Sequence, residues 1–169
     1  MSLSENLLWL GIEANSDRFS DKLYSIFLRK GTNMLDQEQG GRFFRTAWIT
    51  GVQKHYSGTP KEGYVKPWEQ MDAWEQQSAI AVYQQVAHFL TAGVQEGKQT
   101  SLTKVQGGQL VRIAWVGQIY KHIPNPKPSY VGDWDTMPTW EQEVDADIFT
   151  AIEESVHARE ATVTKRDTL

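Results

Sequence analysis

Apolar residues recur in two stretches of the chain at the three- and four-residue spacing of a helical face. Phe44, Ala47, Trp48 and Val52 stand at i, i+3, i+4 and i+8, and Val111, Ala114, Trp115 and Ile119 repeat that stripe. Further on, Ala79, Val82, Tyr83, Val86 and Leu90 mark a core-facing helix within Asp72–Leu90. Ile148, Phe149, Ile152 and Val156 answer them within Thr139–His157. Between the paired stripes, Tyr56–Pro67 and Ile123–Asp133 are rich in Gly, Pro, Ser and Asn, which interrupt regular structure. Each stretch therefore reads as helix, proline-bearing loop, helix. The pattern predicts a mainly α protein with an N-terminal helical extension over residues 1–40 and a first repeat over 41–91. A polar connector over 92–106, a second repeat over 107–158 and a frayed polar tail over 159–169 complete it. Within the extension, Ser16 caps an expected helix to Lys30, with Phe19, Leu23, Ile26 and Phe27 on one side and Gly31 ending it.

The two stretches are copies of one unit. With one extra residue allowed in the first loop, residues 45–76 align with 112–142. Matches before the loop are Arg45/Arg112, Ala47/Ala114, Trp48/Trp115, Lys54/Lys121 and His55/His122. After it come Pro60/Pro126, Lys61/Lys127, Tyr64/Tyr130, Val65/Val131, Trp68/Trp134, Met71/Met137, Trp74/Trp140, Glu75/Glu141 and Gln76/Gln142. Those fourteen identities fall over about thirty positions, where chance supplies about two. Gly40-Gly41 and Gly107-Gly108 extend the match upstream and read as the approaches to helices. Two such copies most simply pack about a pseudo-two-fold axis. Of the seven tryptophans, all but Trp9 belong to the repeat.

Arg45, Trp48, Val52 and His55 lie close to one helical face, and Arg112, Trp115, Ile119 and His122 repeat it. Each Trp thus borders an apolar stripe and a cationic one. Such a border suits a flat anionic ligand, with the indole stacking a base and Arg or Lys meeting phosphates. Lys61 and Lys127 lie in the loops that close over the same place. The alternative is that Trp48 and Trp115 fill the core while Arg45 and Arg112 pair with carboxylates. Trp74 and Trp140, opening the long helices, read as packing residues. Trp68 and Trp134, four residues after Tyr64 and Tyr130, either cap a core edge or wall a pocket.

Composition narrows the chemistry. A formal net charge of −4 argues against non-specific duplex binding, yet leaves room for a small anion site. The absence of cysteine removes thiol nucleophiles, disulfides and Cys-based metal sites. No basic, signal-like start and no apolar run of about 20 residues are evident, so the expectation is a cytoplasmic chain that does not enter a membrane. Neither a His-Glu-x-x-His pattern nor a phosphate-binding P-loop occurs, and no cofactor or metal is expected. His88 and His157 read as ordinary helix residues. Asp145, Asp147, Glu153 and Glu154 read as a solvated acidic face. His55-Tyr56-Ser57 is similar to half of the paired His-x-Ser/Thr signature of two-histidine phosphoesterases, while the second copy has His122-Ile123-Pro124.

Pro67-Trp68-Glu69, then Trp74, then Ser78-Ala79-Ile80 resembles an element of phage and bacterial ryanodine-receptor-repeat domains. Trp134, Trp140 and Glu141-Gln142 keep its frame in the second copy, with Asp145-Ala146 in place of Ser-Ala, and Ala114-Trp115 lies at its first helix. The likeness covers about residues 42–157, and the family's Gly-Trp-x-Tyr-Gly segment is missing from both copies. It implies paired helices that bind nucleotides or nucleotide-derived signals, with Trp48 and Trp115 as candidates on the first helices. For a phage-encoded chain it implies a sponge that sequesters a host immune signal in the host cytoplasm.

The expected function is therefore non-catalytic binding of a nucleotide-derived molecule, such as an ADP-ribose derivative or a cyclic nucleotide. The expected site is Arg45, Trp48, His55, Lys61, Tyr64 and Trp68, with Arg112, Trp115, His122, Lys127, Tyr130 and Trp134. Two alternatives stand beside it: a phosphoesterase acting through His55 and His122, and a helical interaction or structural protein. A Trp-rich duplicated surface also points to a homo-oligomer.

Overall fold

Asp36 starts the first long helix, its carboxylate accepting from the Gln39 backbone N–H at 2.8 Å. The computed structural model describes residues 35–95 and 102–166. The helix predicted from Ser16 to Lys30 lies outside them. In chain order the described helices are α1 (Gln37–His55), α2 (Glu62–Val65), α3 (Ala73–Gln95), α4 (Lys104–His122) and α5 (Thr139–Arg166). Three-residue 3-10 turns, Trp68–Gln70, Pro128–Tyr130 and Trp134–Thr136, punctuate the loops. Thr103 opens α4 with a capping box, its hydroxyl and backbone exchanging bonds with Gln106. Lys54-His55 and Lys121-His122 occupy the last turns of α1 and α4, where positive charge suits the helix dipole. The protein is mainly helical, and the described residues form no strand. No described helix is long and apolar enough to cross a membrane.

The four long helices share one core. α1 packs on α3 and α5, and α4 packs on α5 and α3. Val52, Val82, Val86, Val111, Ile148 and Ile152 are fully buried there, each such side chain contributing roughly 1.5–3 kcal/mol. The predicted stripes face this core. The glycine pairs, expected at the approaches to helices, instead lie inside the first turns of α1 and α4. A Cβ at Gly40 would stand 2.3 Å from the Tyr83 ring, and one at Gly107 2.1 Å from Phe149. At Gly41 and Gly108 it would meet the indoles of Trp68 and Trp134 at 2.6 and 2.7 Å. The glycines are notches that admit an aromatic ring against a helix backbone. At the other end of the unit, α5 continues to Arg166, beyond the point where the polar tail was expected to fray.

Candidate functional site

The duplicated arginines point inward, and each clamps the loop that follows its own helix. Arg45 is buried; its Nε and Nη2 donate to the Lys66 carbonyl at 2.8 and 2.6 Å, and Nη2 also reaches the Gly63 carbonyl at 3.2 Å. Arg112 does the corresponding work at Gly132, with 3.3 and 3.1 Å contacts from Nε and Nη2. Burial pulls the Arg45 guanidinium below its usual range, and the charge of Glu75 opposes the shift. The tryptophans continue the framing. Trp48 donates its indole N–H to the Tyr64 carbonyl at 2.9 Å and meets Tyr64 and Trp140 edge-on. Tyr56 joins the same aromatic cluster, its ring 5.0 Å from Trp140 and 5.9 Å from Tyr64. Trp115 is half-buried and lies parallel to Phe44 at 6.2 Å. Trp68 is buried beneath the Arg42 guanidinium, which is also paired with Glu69. Trp134 is half-buried, and its carbonyl takes the Gln142 amide at 2.7 Å as the Trp68 carbonyl takes Gln76 at 2.8 Å.

The expected site residues thus divide. Arg45, Arg112, Trp48 and Trp68 are engaged within the fold. Lys61 and Lys127 remain at the surface, each ammonium over the tyrosine three residues on: 5.6 Å from the Tyr64 ring centre and 6.0 Å from that of Tyr130. Tyr64 is walled in by the aromatic cluster, whereas the Tyr130 residue is 44% exposed. Two surface hollows are lined by Ala81, Gln84, Gln85 and His88, and by residues that include Arg42, Trp68 and Gln76; of the expected site residues only Trp68 touches either.

The histidines have different surroundings. His55 Nε2 is 2.8 Å from Asp147, whose carboxylate also takes Lys54 and Lys104 at 2.8 Å each. Burial pushes the Asp147 carboxyl up, but the bonds from Lys104, Lys54 and His55 outweigh it and hold it well below the usual carboxylate range. His55, Glu143 and Asp147 have the spacing of cation ligands, yet both Asp147 oxygens already carry an ammonium, so the cluster reads as an ion-pair network. His122 Nε2 is buried without a hydrogen-bond partner, its ring 6.2 Å from Trp74. Gln118 Oε1, one turn before it on α4, is unpartnered too. No hydrogen bond joins His55 to His122, and acid–base work shared between them has no geometric support among the described residues.

The acidic face read from the sequence is not uniformly solvated. Glu154 is exposed, but Asp145 is only 5% exposed and has no hydrogen bond or ion pair among the described residues. Burial raises its carboxyl to about 8, against the pull of Arg112, and neighbouring Glu141 raises it further. Burial also raises Glu141, again against Arg112. A signal for this cluster was present in the repeat: the alignment that pairs Glu75 with Glu141 sets Val144-Asp145, rather than Asp145-Ala146, on Ser78-Ala79, which is buried. Comparison with protein-family models, with curated proteins and with solved structures gives no match to this chain.

Proposed function

We propose that this chain is a non-catalytic binding module for a flat, anionic, nucleotide-derived ligand, received on its second copy. The observation that supports this reading is the open Tyr130 ring with the Lys127 ammonium above it. A base stacks on such a ring while the ammonium meets a phosphate. Trp134, four residues on in the sequence, is half-buried. In the first copy the same Lys–Tyr pair is present, but Trp48, Tyr56 and Trp140 occupy the faces and edges of Tyr64. On this reading the two copies are related by pseudo-symmetry, the first closed and the second open. A binder that returns its ligand unchanged would act as a sponge, the role that the ryanodine-receptor-repeat resemblance implies for a phage-encoded chain.

The test is to incubate the protein with ADP-ribose derivatives and cyclic nucleotides, record thermal shifts, then heat-denature it and analyse what is released. A raised melting temperature with intact ligand recovered supports sequestration. Recovery of an altered ligand would establish the phosphoesterase alternative, and no shift with any of these compounds would leave an interaction protein.

The interaction reading has its own support in α4, where Val105, Ile113 and Tyr120 lie on one side and stay exposed, Ile113 to 70%. On that reading a second copy of the chain covers the stripe.

A further inference from the structure

The two copies hold different charge around corresponding buried arginines. In the first, Lys66 Nζ lies 2.7 Å from Glu75 and 4.0 Å from Asp72, while Arg45 holds the Lys66 carbonyl. Two cations there face two carboxylates. In the second copy Gly132 stands in place of Lys66, Pro138 in place of Asp72, and Asp145 in place of Ala79. Arg112 binding the Gly132 carbonyl, as Arg45 binds that of Lys66, fixes this correspondence in three dimensions. One cation, Arg112, is left with two carboxylates, Glu141 and Asp145. The second cluster lacks the first copy's lysine, and burial keeps the Asp145 carboxyl protonated up to about pH 8.

Among the described residues nothing takes that lysine's place. Asp145 is 95% buried, taking its 5% exposure from the whole, and among the described residues has neither hydrogen bond nor ion pair. Glu141 is half-buried and lacks the lysine that its counterpart Glu75 has. A Cβ at Gly132 would meet only Thr136 Oγ1 at 3.4 Å and the Pro128 carbonyl at 3.6 Å, ordinary contacts, so the start of the path that the Lys66 side chain takes in the first copy is open.

We propose that the second copy is a receptor for a primary ammonium group, which takes the place of the Lys66 ammonium and donates to Glu141 and Asp145. The first copy supplies the template for the bond between an ammonium and Glu141, and Asp145 lies one helical turn on from Glu141. An ammonium has three donors for two carboxylates, and a charge-assisted bond to a partly buried acceptor is stronger than one at the surface. The group comes from one of two sources: a lysine side chain of another protein, or a free alkyl amine. This site uses other side chains than the Tyr130 platform, so either proposal can fail alone.

Thermal shifts with n-butylamine hydrochloride, against KCl at equal ionic strength, test it directly. Butylammonium is expected to raise the melting temperature of the wild type beyond the KCl control. Asp145→Asn, which keeps the side chain's size and removes the carboxyl that an ammonium would ionise, is expected to bind butylammonium at least about tenfold more weakly. Gly132→Lys restores the first copy's lysine; it is expected to melt higher without amine and to lose the response to amine. Nα-acetyl-lysine amide binding more tightly than butylamine assigns the site to a protein lysine, and the reverse order assigns it to a free amine. A wild-type shift no larger than in KCl, or an undiminished response in circular-dichroism-verified Asp145→Asn or Gly132→Lys, overturns the proposal.

Discussion

Position 145 shows how much one side chain changes between the copies. Ala79 is a core residue of α3, whereas Asp145 brings a carboxyl group into the corresponding place on α5. The charged groups acting on it are Arg112 from α4 and Glu141 from its own helix. A carboxyl raised to about 8 when folded, from 3.8 when free, means that the folded state holds the extra proton between those values. Its contribution to stability therefore falls as pH rises through that window and levels off above it. Asp147 acts in the opposite sense: its depressed carboxyl stabilises the fold above the ordinary carboxylate range and loses that effect on acidification. Comparing variants separates the two. Asp145→Ala is expected to gain on the order of 1–3 kcal/mol over the wild type at pH 9 and little at pH 5 in denaturant unfolding. Parallel pH profiles for the two proteins would show that Asp145 does not titrate in this way. Trp48→Ala, which removes a half-buried indole and its bond to Tyr64, is expected to cost about 3 kcal/mol by the same measurement. Asp145 was misread from the sequence because neighbouring acidic residues suggest a solvated face. Asp145 lies three and four residues before Ile148 and Phe149, so the apolar stripe of α5, like the alignment with Ala79, puts it on the core side.

At the scale of elements, helix stripes were the readable feature and loop geometry was not. The apolar spacing over Phe44–Val52 and Val111–Ile119 is the direct cause of burial, so α1 and α4 could be located from it. The short turns at Glu62–Val65 and Pro128–Tyr130 have no such periodicity, and the carbonyls clamped by Arg45 and Arg112 are set by backbone path. That is why the two arginines, matched in sequence, read equally well as ligand contacts. The glycine pairs carry a sharper consequence. Gly107→Ala should lower stability by about 1–3 kcal/mol despite alanine's better helix propensity, because the new methyl overlaps Phe149. Gly117→Ala, on the same helix with nothing within 4 Å, should instead stabilise by up to about 1 kcal/mol. Both are read from thermal or chemical unfolding, and equal effects at the two sites would contradict the notch role of Gly107.

For the whole molecule, the duplication accounts for why so many contacts occur twice, and the differences between copies locate the candidate chemistry. Lys66 and Tyr56 from within the first copy, with Trp140 lent by the second, close the first copy, while Gly132, Tyr130, His122 and Asp145 leave the second with open or unpartnered groups. The exposed α4 stripe makes a separate prediction: if a second copy covers it, Ile113→Glu should shift sedimentation from dimer to monomer, and a wild type that is already monomeric would exclude that contact. The most direct test of an open second copy is calorimetric titration of ADP-ribose and a cyclic nucleotide into three proteins: wild type, Lys61→Ala and Lys127→Ala. Both lysines are exposed, so neither change threatens the fold. One site per chain is expected, weakened about five- to tenfold by Lys127→Ala and unchanged by Lys61→Ala. Equal losses from the two variants, or no binding heat in the wild type, would contradict it.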